Sequence, residues 1–244
     1  VNPLLSAAQL GEILRAAGTK VLVTVGPLPG SDIWDKVQQI KASLPQLKAV
    51  LVIHGAADEA QGVYDFDEQL RRHPSDRLVS GRQIAAQDIA GYFHTGGTTG
   101  TPKLVRHTHA NQVYQAWVLR LTLPIPGSTI LCGLPLFHVG GALTQGLANL
   151  AGGGTLVVLS PAGWRERYKP LIFGGGPTGL AAALSVPVGD ADISSIRIAS
   201  GGGSAIPVAV CKAYAELIHG PVLEVYGMTE TASVHTMSYP DRPL

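Results

Sequence analysis

Apolar positions in the first third of the chain recur at two alternating periods, and the alternation predicts helix and strand in turn. Leu10, Ile13, Leu14 and Ala17 share one helical face. Ser6, followed three positions later by Gln9, supplies a capping box ahead of them, and Gly18 ends the run. Residues 20–25 then read as a buried strand. After a turn over 27–30, Ser31 is placed to cap a second helix, with Ile33, Val37, Ile40 and Leu44 at helical spacing and Pro45 beyond. Residues 49–53 form the next apolar strand. Helices lying between apolar strands predict right-handed crossovers, hence an α/β fold with a mainly parallel sheet and helices on both faces.

The pattern weakens over 55–87, which is polar and mixed and predicts a peripheral excursion with one short helix around 64–72. Beyond it, further strands are expected at 104–106, 129–131, 155–159, 171–173, 196–199 and 222–226. Helices are expected from a Thr108 cap through 121, near 139–150, and over 207–219 with Pro207 at the first position. One connection is short. Only residues 160–170 separate two expected strands, whereas a parallel crossover takes about a dozen residues or more. Glu166-Arg167-Tyr168-Lys169-Pro170 reads as the last turn of a helix whose start is missing, so a helix's worth of sequence is expected to be absent near 165–166.

Composition narrows the classes. The chain has 244 residues, enough for a large core, and a formal charge of +1, which gives no electrostatic case for nucleic acid or an anionic membrane as partner. Its two cysteines, Cys132 and Cys211, lie in apolar sequence and point to buried thiols in a reduced, cytoplasmic setting. From Leu121 to Trp164 there is no Asp, Glu, Lys or Arg. Pro124, Pro126, Pro135 and several glycines break that segment, and no uninterrupted apolar stretch of roughly 18–20 residues survives to span a membrane. The start, Val1-Asn2-Pro3, has neither an initiator Met nor a signal-like segment, and the chain is read as part of something longer.

The chemistry concentrates in four segments. Thr95-Gly96-Gly97-Thr98-Thr99-Gly100-Thr101-Pro102-Lys103 follows the apolar run Ile89-Ala90-Gly91-Tyr92-Phe93. Glycines let backbone N–H groups converge on a bulky anion, threonine hydroxyls add neutral donors, and the lysine adds a positive charge. Pro102 before Lys103 excludes the Walker spacing. A flexible surface turn is the plain alternative. The second segment, Val225-Tyr226-Gly227-Met228-Thr229-Glu230-Thr231, stands at the end of an expected strand, where open α/β sheets bind ligands. It offers an aromatic face, a glycine for close approach, a hydroxyl and a carboxylate suited to Mg2+; an ordinary strand-to-loop turn is the plain reading. The third, Ser200-Gly201-Gly202-Gly203-Ser204, is equally a tight strand-to-helix turn and a ligand-lining one. The fourth, Leu134-Pro135-Leu136-Phe137-His138, carries a histidine that reads evenly as a hydrogen-bonded core residue or a site residue.

Together these segments resemble the signatures of the adenylate-forming superfamily, which takes in AMP-forming acyl-CoA synthetases (carboxylate–CoA ligases) and the adenylation domains of peptide synthetases. The threonine-rich loop departs from the family pattern only at Leu104, where glycine is usual; Tyr226-Gly227-Met228-Thr229-Glu230 shows no departure. The resemblance covers nearly the whole chain and implies part of the large N-terminal domain of such an enzyme, incomplete at both ends, without the small C-terminal domain. It implies that Thr95, Gly96, Gly97, Thr98, Thr99, Gly100 and Lys103 hold the ATP phosphates. Tyr226, Gly227 and Gly201, Gly202 and Gly203 would surround adenine. Thr229 would meet the α-phosphate and Glu230 would hold Mg2+. His138, Gly175, Gly179, Ser204, Ser233 and His235 would line the acyl pocket, with His138 gating the carboxylate. Lys103, Thr229, Glu230 and His138 are the catalytic candidates.

Two other patterns stand in the sequence. Gly174-Gly175-Gly176-Pro177-Thr178-Gly179 matches the dinucleotide fingerprint, but no acidic residue ends a strand about 20 residues later, which disfavours a nicotinamide cofactor. His107 and His109 share a strand face without a third ligand nearby in sequence, so a solvated or capping role is expected rather than a metal site. The implied activity is ATP-dependent conversion of an apolar carboxylic acid (fatty, alicyclic or aromatic) to acyl-AMP and then acyl-CoA. ATP, Mg2+ and coenzyme A are the cofactor and substrates, and small molecules, not nucleic acid, the partners. A homodimer is compatible with the sequence. A carrier-protein acceptor and a non-catalytic nucleotide-binding relative are the alternatives, and the 244-residue chain alone is expected to be a poor catalyst.

Overall fold

The computed structural model describes residues 1–95, 103–122, 127–158 and 168–239. Gly96, Gly97, Thr98, Thr99 and Gly100 lie outside them, as does the junction at 165–166. The chain divides into two compact units, one formed by Val1–Ala85 with His94–Val105, the other by Ala86–Phe93 with Arg106–Leu244.

The first unit opens with α1 (Ala7–Ala16), whose capping box between Ser6 and Gln9 forms as expected. Strand β1 (Val21–Val25), helix α2 (Ile33–Ile40) and strand β2 (Ala49–Ile53) follow. The α2 cap falls on Asp32 rather than Ser31; Ser31 Oγ instead accepts from the Ile33 amide at 3.4 Å. The polar stretch after β2 is not peripheral. It supplies β3 (Val63–Asp65), which pairs parallel to β2, and α3 (Phe66–Arg71), with Asp65 Oδ1 accepting from Glu68 N. Val63 is buried against Val37, Val50 and Val52, so a third strand completes the sheet β1-β2-β3. Three residues carry too little periodicity to announce a strand, and pairing with β2 decides it.

In the second unit β4 (Ile89–His94) and β5 (Leu104–Thr108), whose outer ends group with the first unit, form a two-stranded ribbon ahead of α4 (His109–Thr122). Thr108 caps α4 reciprocally with Asn111: Thr108 Oγ1 accepts from Asn111 N, and Asn111 Oδ1 accepts from Thr108 N. Next come β6 (Thr129–Cys132), a π-helical segment (Gly140–Leu147), α5 (Ala148–Ala151), β7 (Thr155–Val158), β8 (Ile172–Gly175) and α6 (Pro177–Leu184). The unit ends with β9 (Ile198–Gly202), α7 (Val208–Ile218), β10 (Val222–Met228) and β11 (Ser233–Met237). The sheet order is β11-β10-β9-β8-β6-β7, parallel except for β11.

Successive strand residues point to opposite faces, yet Ile130, Leu131 and Cys132 are all buried, as are Val222 and Leu223. Both faces are therefore covered. One cover is α6 with α7, whose Leu180, Cys211, Tyr214 and Ile218 cluster with Ala199 and Val222; the Tyr214 hydroxyl donates to the Leu180 carbonyl. A second cluster joins α4 to α5 through Ala116, Leu119 and Ala148, with Val234 packed against it. The segment expected as a helix near 139–150 is π-helical over most of its length, and the Ala148 amide donates to the Leu143 carbonyl five residues back. Pro207 is the N-cap of α7, one position before the place expected for it.

Candidate nucleotide site

The parallel strands of the second unit end together in a set of glycine-rich turns, which is where an open α/β sheet receives ligands. Gly203, in the turn after β9, has φ +91°, a region closed to most side chains, and nothing stands where its Cβ would be. Its neighbour Gly202 is small for another reason: a Cβ there would strike the Val225 carbonyl on β10. The turn is pinned from β10 as well, because Glu224 Oε1 accepts from the Ile206 amide at 3.0 Å. Glu224 and Tyr226 are two apart on one strand and so emerge on the same face.

These residues enclose a groove of about 560 Å³, lined by Gly203, Ser204, Glu224, Tyr226, Gly227 and Thr236, with Ala205, Val225, Met237 and Ser238 completing it. That volume lies within the range of small-molecule sites, roughly 300–1,000 Å³. Tyr226 is 61% exposed, so a ring face is open to the groove's contents. The His235 ring stands beside it, 5.8 Å between centroids and tilted by 33°. The structure thus brings together Tyr226, Gly227, Gly203 and Ser204, with His235 adjoining. Glu224 and Thr236 are members that the motifs did not single out; for Glu224 the alternation with Tyr226 was the available signal.

At the next residues the ladder between β10 and β11 slips in register, between Tyr226 and Gly227. A Cβ on Gly227 would collide with the Ser233 carbonyl, so this position needs glycine for close backbone approach. Thr229–Thr231 make one 3₁₀ turn, which holds Glu230 exposed at the strand end. Ala232 and Ser233 follow with φ of 60° and 131°, values that L side chains rarely adopt. Ser233 is buried, and its hydroxyl pairs with that of Thr144 on the π-helical segment.

Among the other candidates, His138 Nδ1 accepts from the Gly140 amide at 3.0 Å, and burial pushes its pKa below the ordinary imidazole value of 6.5. Gly175 ends β8 in contact with Leu180, while Gly179 lies exposed on α6. The Cβ space of Gly174 is filled by Gln145 Nε2, a packing reason for one glycine of the dinucleotide-like run. Gly201 is buried against Leu180 and Ile206. The six acyl-pocket candidates are therefore spread over strands, a helix and loops of the second unit, with Ser204 and His235 beside Tyr226. Thr95 and Lys103 belong to the first unit, where the Thr95 amide donates to the Lys103 carbonyl at 2.9 Å and closes the base of the loop. His107, expected to be solvated or capping, is 2% exposed and its Nε2 lies 2.7 Å from the Thr229 carbonyl.

No group of three or more His, Cys, Asp or Glu side chains among the described residues could enclose a metal ion. Glu230 by itself suits Mg2+ bound with a nucleotide, since that ion keeps several waters and takes further oxygens from phosphates. Burial raises the Cys132 and Cys211 thiols above their usual pKa. No helix among the described residues is long and apolar enough to cross a membrane.

A mainly parallel α/β sheet with an exposed tyrosine over a glycine turn at its carboxyl ends is of the class that receives ligands at its strand ends. Residues 1–244 match the AMP-binding enzyme family, and the chain belongs to that family. It is 30% identical over 257 residues to the marinolic acid–CoA ligase of Pseudoalteromonas sp. (strain SANK 73390), covering 98% of this chain and 39% of the relative. To the long-chain-fatty-acid–CoA ligase of Bacillus subtilis (strain 168) it is 27% identical, covering 96% and 46%. The solved anthranilate CoA ligase AuaEII in complex with anthranoyl-AMP superposes with a TM-score of 0.87 at 26% identity, over 100% of this chain and 48% of that one. The chain spans half or less of the length of the curated relatives it matches, 39% of the first and 46% of the second.

Proposed function

We propose that the protein is an AMP-forming acyl-CoA synthetase, with residues 1–244 serving as its nucleotide-binding part. The carrying observation is the groove beneath Tyr226, set beside Thr229 and Glu230 in a chain that belongs to the AMP-binding family. In the first step a carboxylate oxygen of the acid attacks the α-phosphorus of ATP, the bond to the bridging oxygen breaks, and pyrophosphate leaves. In the second, the sulfur of coenzyme A attacks the acyl carbonyl carbon, AMP departs and the thiol proton is lost to solvent. Both steps depend on orientation and on charge neutralisation by fixed groups.

Tyr226 stacks on adenine above the Gly203 turn, with Gly201, Gly202 and Gly227 shaping its borders. The Thr229 hydroxyl donates to the α-phosphate. Lys103 and the loop from Thr95 to Gly100 hold the β- and γ-phosphates. Glu230 is the ligand for a nucleotide-bound Mg2+, which when present neutralises phosphate charge. His138, whose pKa is lowered by partial desolvation, stands near the acid with Gly175, Gly179, Ser204, Ser233 and His235. The charge-free sequence from Leu121 to Trp164 supports an apolar acyl group. The relatives' names point to CoA rather than a carrier protein as acceptor. A cytoplasmic setting and a homodimer complete the proposal.

ATP–pyrophosphate exchange by the full-length protein across fatty, alicyclic and aromatic acids tests it. Exchange that requires one class of acid is expected, with Lys103→Ala and Glu230→Ala each lowering it about 10²–10³-fold. ATP turnover indifferent to every acid would contradict the reading. ATP binding that survives both substitutions, without any exchange, would favour a non-catalytic relative.

A further inference from the structure

We propose that His107 is a positioning residue for adenylation, holding the Thr229–Glu230 turn in place through the backbone carbonyl of Thr229. The inference rests on the function proposed above. The imidazole is 2% exposed, and its Nε2 lies 2.7 Å from that carbonyl. A carbonyl oxygen only accepts, so Nε2 carries the hydrogen. Nδ1 is buried with no partner among the described residues, and a proton there would be an unsatisfied donor; both nitrogens select the Nε2–H tautomer. The Phe93 ring lies against the imidazole, 5.1 Å between centroids and tilted by 34°. A buried ring with one bond and one packing face has little freedom to turn.

The turn it grips needs such support. The Thr229 carbonyl also accepts from the Ala232 amide at 3.1 Å, so both of its lone pairs are engaged. Directly afterwards come the positive φ angles of Ala232 and Ser233, a backbone path that the chain does not adopt by local preference. Bonds from outside the turn hold it there. Gln115 Nε2 donates to the Val234 carbonyl at 2.7 Å, and Thr144 pairs with Ser233. Those two act on the return strand, whereas His107 acts on the residue whose hydroxyl is assigned to the α-phosphate and whose neighbour is Glu230. Four positions of chain separate His107 from Lys103, so one short strand links the phosphate loop to the residue that steadies this turn.

The test uses the full-length protein with His107→Leu, which removes the donor at similar volume, and His107→Gln, whose amide nitrogen can stand near the position of Nε2. ATP affinity in the presence of Mg2+, kcat and KM for ATP in pyrophosphate exchange, and the Mg2+ concentration for half-maximal rate are measured on samples shown to be folded by circular dichroism. A loss of about 10–100-fold in kcat/KM and a higher Mg2+ requirement are expected for His107→Leu, with most of both restored by His107→Gln. If His107→Leu does not fold, His107→Gln is compared instead with His107→Asn, whose shorter amide falls short of Nε2, and the same order is expected. Nitrogen-15 spectra of the unsubstituted protein should show the Nε2–H tautomer. Equal impairment of donor and non-donor variants, undiminished rates in His107→Leu, or an Nδ1–H tautomer would overturn the proposal. Failure of the unsubstituted protein to bind ATP would instead overturn the proposed function, and the proposal with it.

Discussion

Gly202 and Gly203 are adjacent and lack side chains for opposite reasons, which gives a pair of substitutions with separable outcomes. A methyl group on Gly202 meets the backbone of Val225, so Gly202→Ala is expected to loosen the pairing of β9 with β10 and destabilise the fold by about 1–3 kcal/mol. Gly203→Ala meets no atom but keeps φ at +91°, costing about 1 kcal/mol, and places its methyl group at the groove. Urea unfolding with a parallel ATP titration distinguishes them: the larger stability loss belongs to Gly202→Ala, and the larger fractional loss of ATP affinity at equal folded population to Gly203→Ala. His138 supplies a second test at this scale. Its folded pKa is lowered by burial, so the unfolded chain binds more protons in the window below about 6.5. This group's contribution to stability is therefore complete above that value and declines as pH falls through the window. A proton NMR titration should place the His138 midpoint below that of a free imidazole, and a midpoint at or above it would mean that the ring is not desolvated. At this scale the sequence showed which residues carry reactive groups. It did not show their tertiary partners: nothing near Glu224 reveals the Ile206 amide, and nothing near His107 reveals Thr229.

Two of the expected helix starts form at the residues the sequence names, because a cap is made by residues three apart, while Ser31 and Pro207 each miss their expected place by one position. The Ser6–Gln9 box and the Thr108 cap both form where the sequence places them, with Asn111 added by the structure as the reciprocal partner of Thr108. Thr108→Ala should therefore cost about 1 kcal/mol, read as a lowered unfolding midpoint, while Thr108→Ser keeps most of the stability because it retains the hydroxyl. Elements fixed by distant partners were less legible. Strand β3 exists because β2 offers an edge to Val63, and β11 because β10 folds back across the Tyr226–Gly227 slip. The π-helical segment also escapes periodicity, since over eight residues a wider turn leaves nearly the same apolar spacing as an α-helix. Its part in the fold is visible only through tertiary partners: Leu143 packs with Ala232, Thr144 pairs with Ser233, and Gln145 fills the space beside Gly174. Thr144→Val should leave the buried Ser233 hydroxyl unpaired and lower stability by about 1–3 kcal/mol. If Thr144→Val proved neutral while Ser233→Ala did not, the hydroxyl pair would have no part in holding the turn.

For the whole molecule, alternation of helix and strand was enough to read a mainly parallel α/β architecture, but not its division. The number of sheets depends on which strands pair, and a strand's sequence does not name its neighbour; β3 joins β1 and β2, while six later strands make a sheet of their own. Each unit has its own apolar core. Val63 packs with Val37, Val50 and Val52, with Trp34 against them, and Leu180 packs with Ala199, Cys211 and Tyr214. The two sets have no member in common, and that makes their independence measurable. Val63→Ala removes two buried methyl groups and gains one, at a cost of about 2 kcal/mol, while Leu180→Ala, at a fully buried site, should cost about 2–5 kcal/mol. Sites without shared partners add to within roughly 0.5 kcal/mol. Denaturant unfolding of both single variants and the double variant, followed by far-ultraviolet dichroism and by the fluorescence of Trp34 with the other two tryptophans replaced by phenylalanine, supplies the comparison. The expected outcome is an additive double variant, with Val63→Ala moving the Trp34 transition and Leu180→Ala leaving it in place if the units unfold separately. A coupling energy above about 1 kcal/mol would mean that the two cores respond as one, contrary to the division their packing defines.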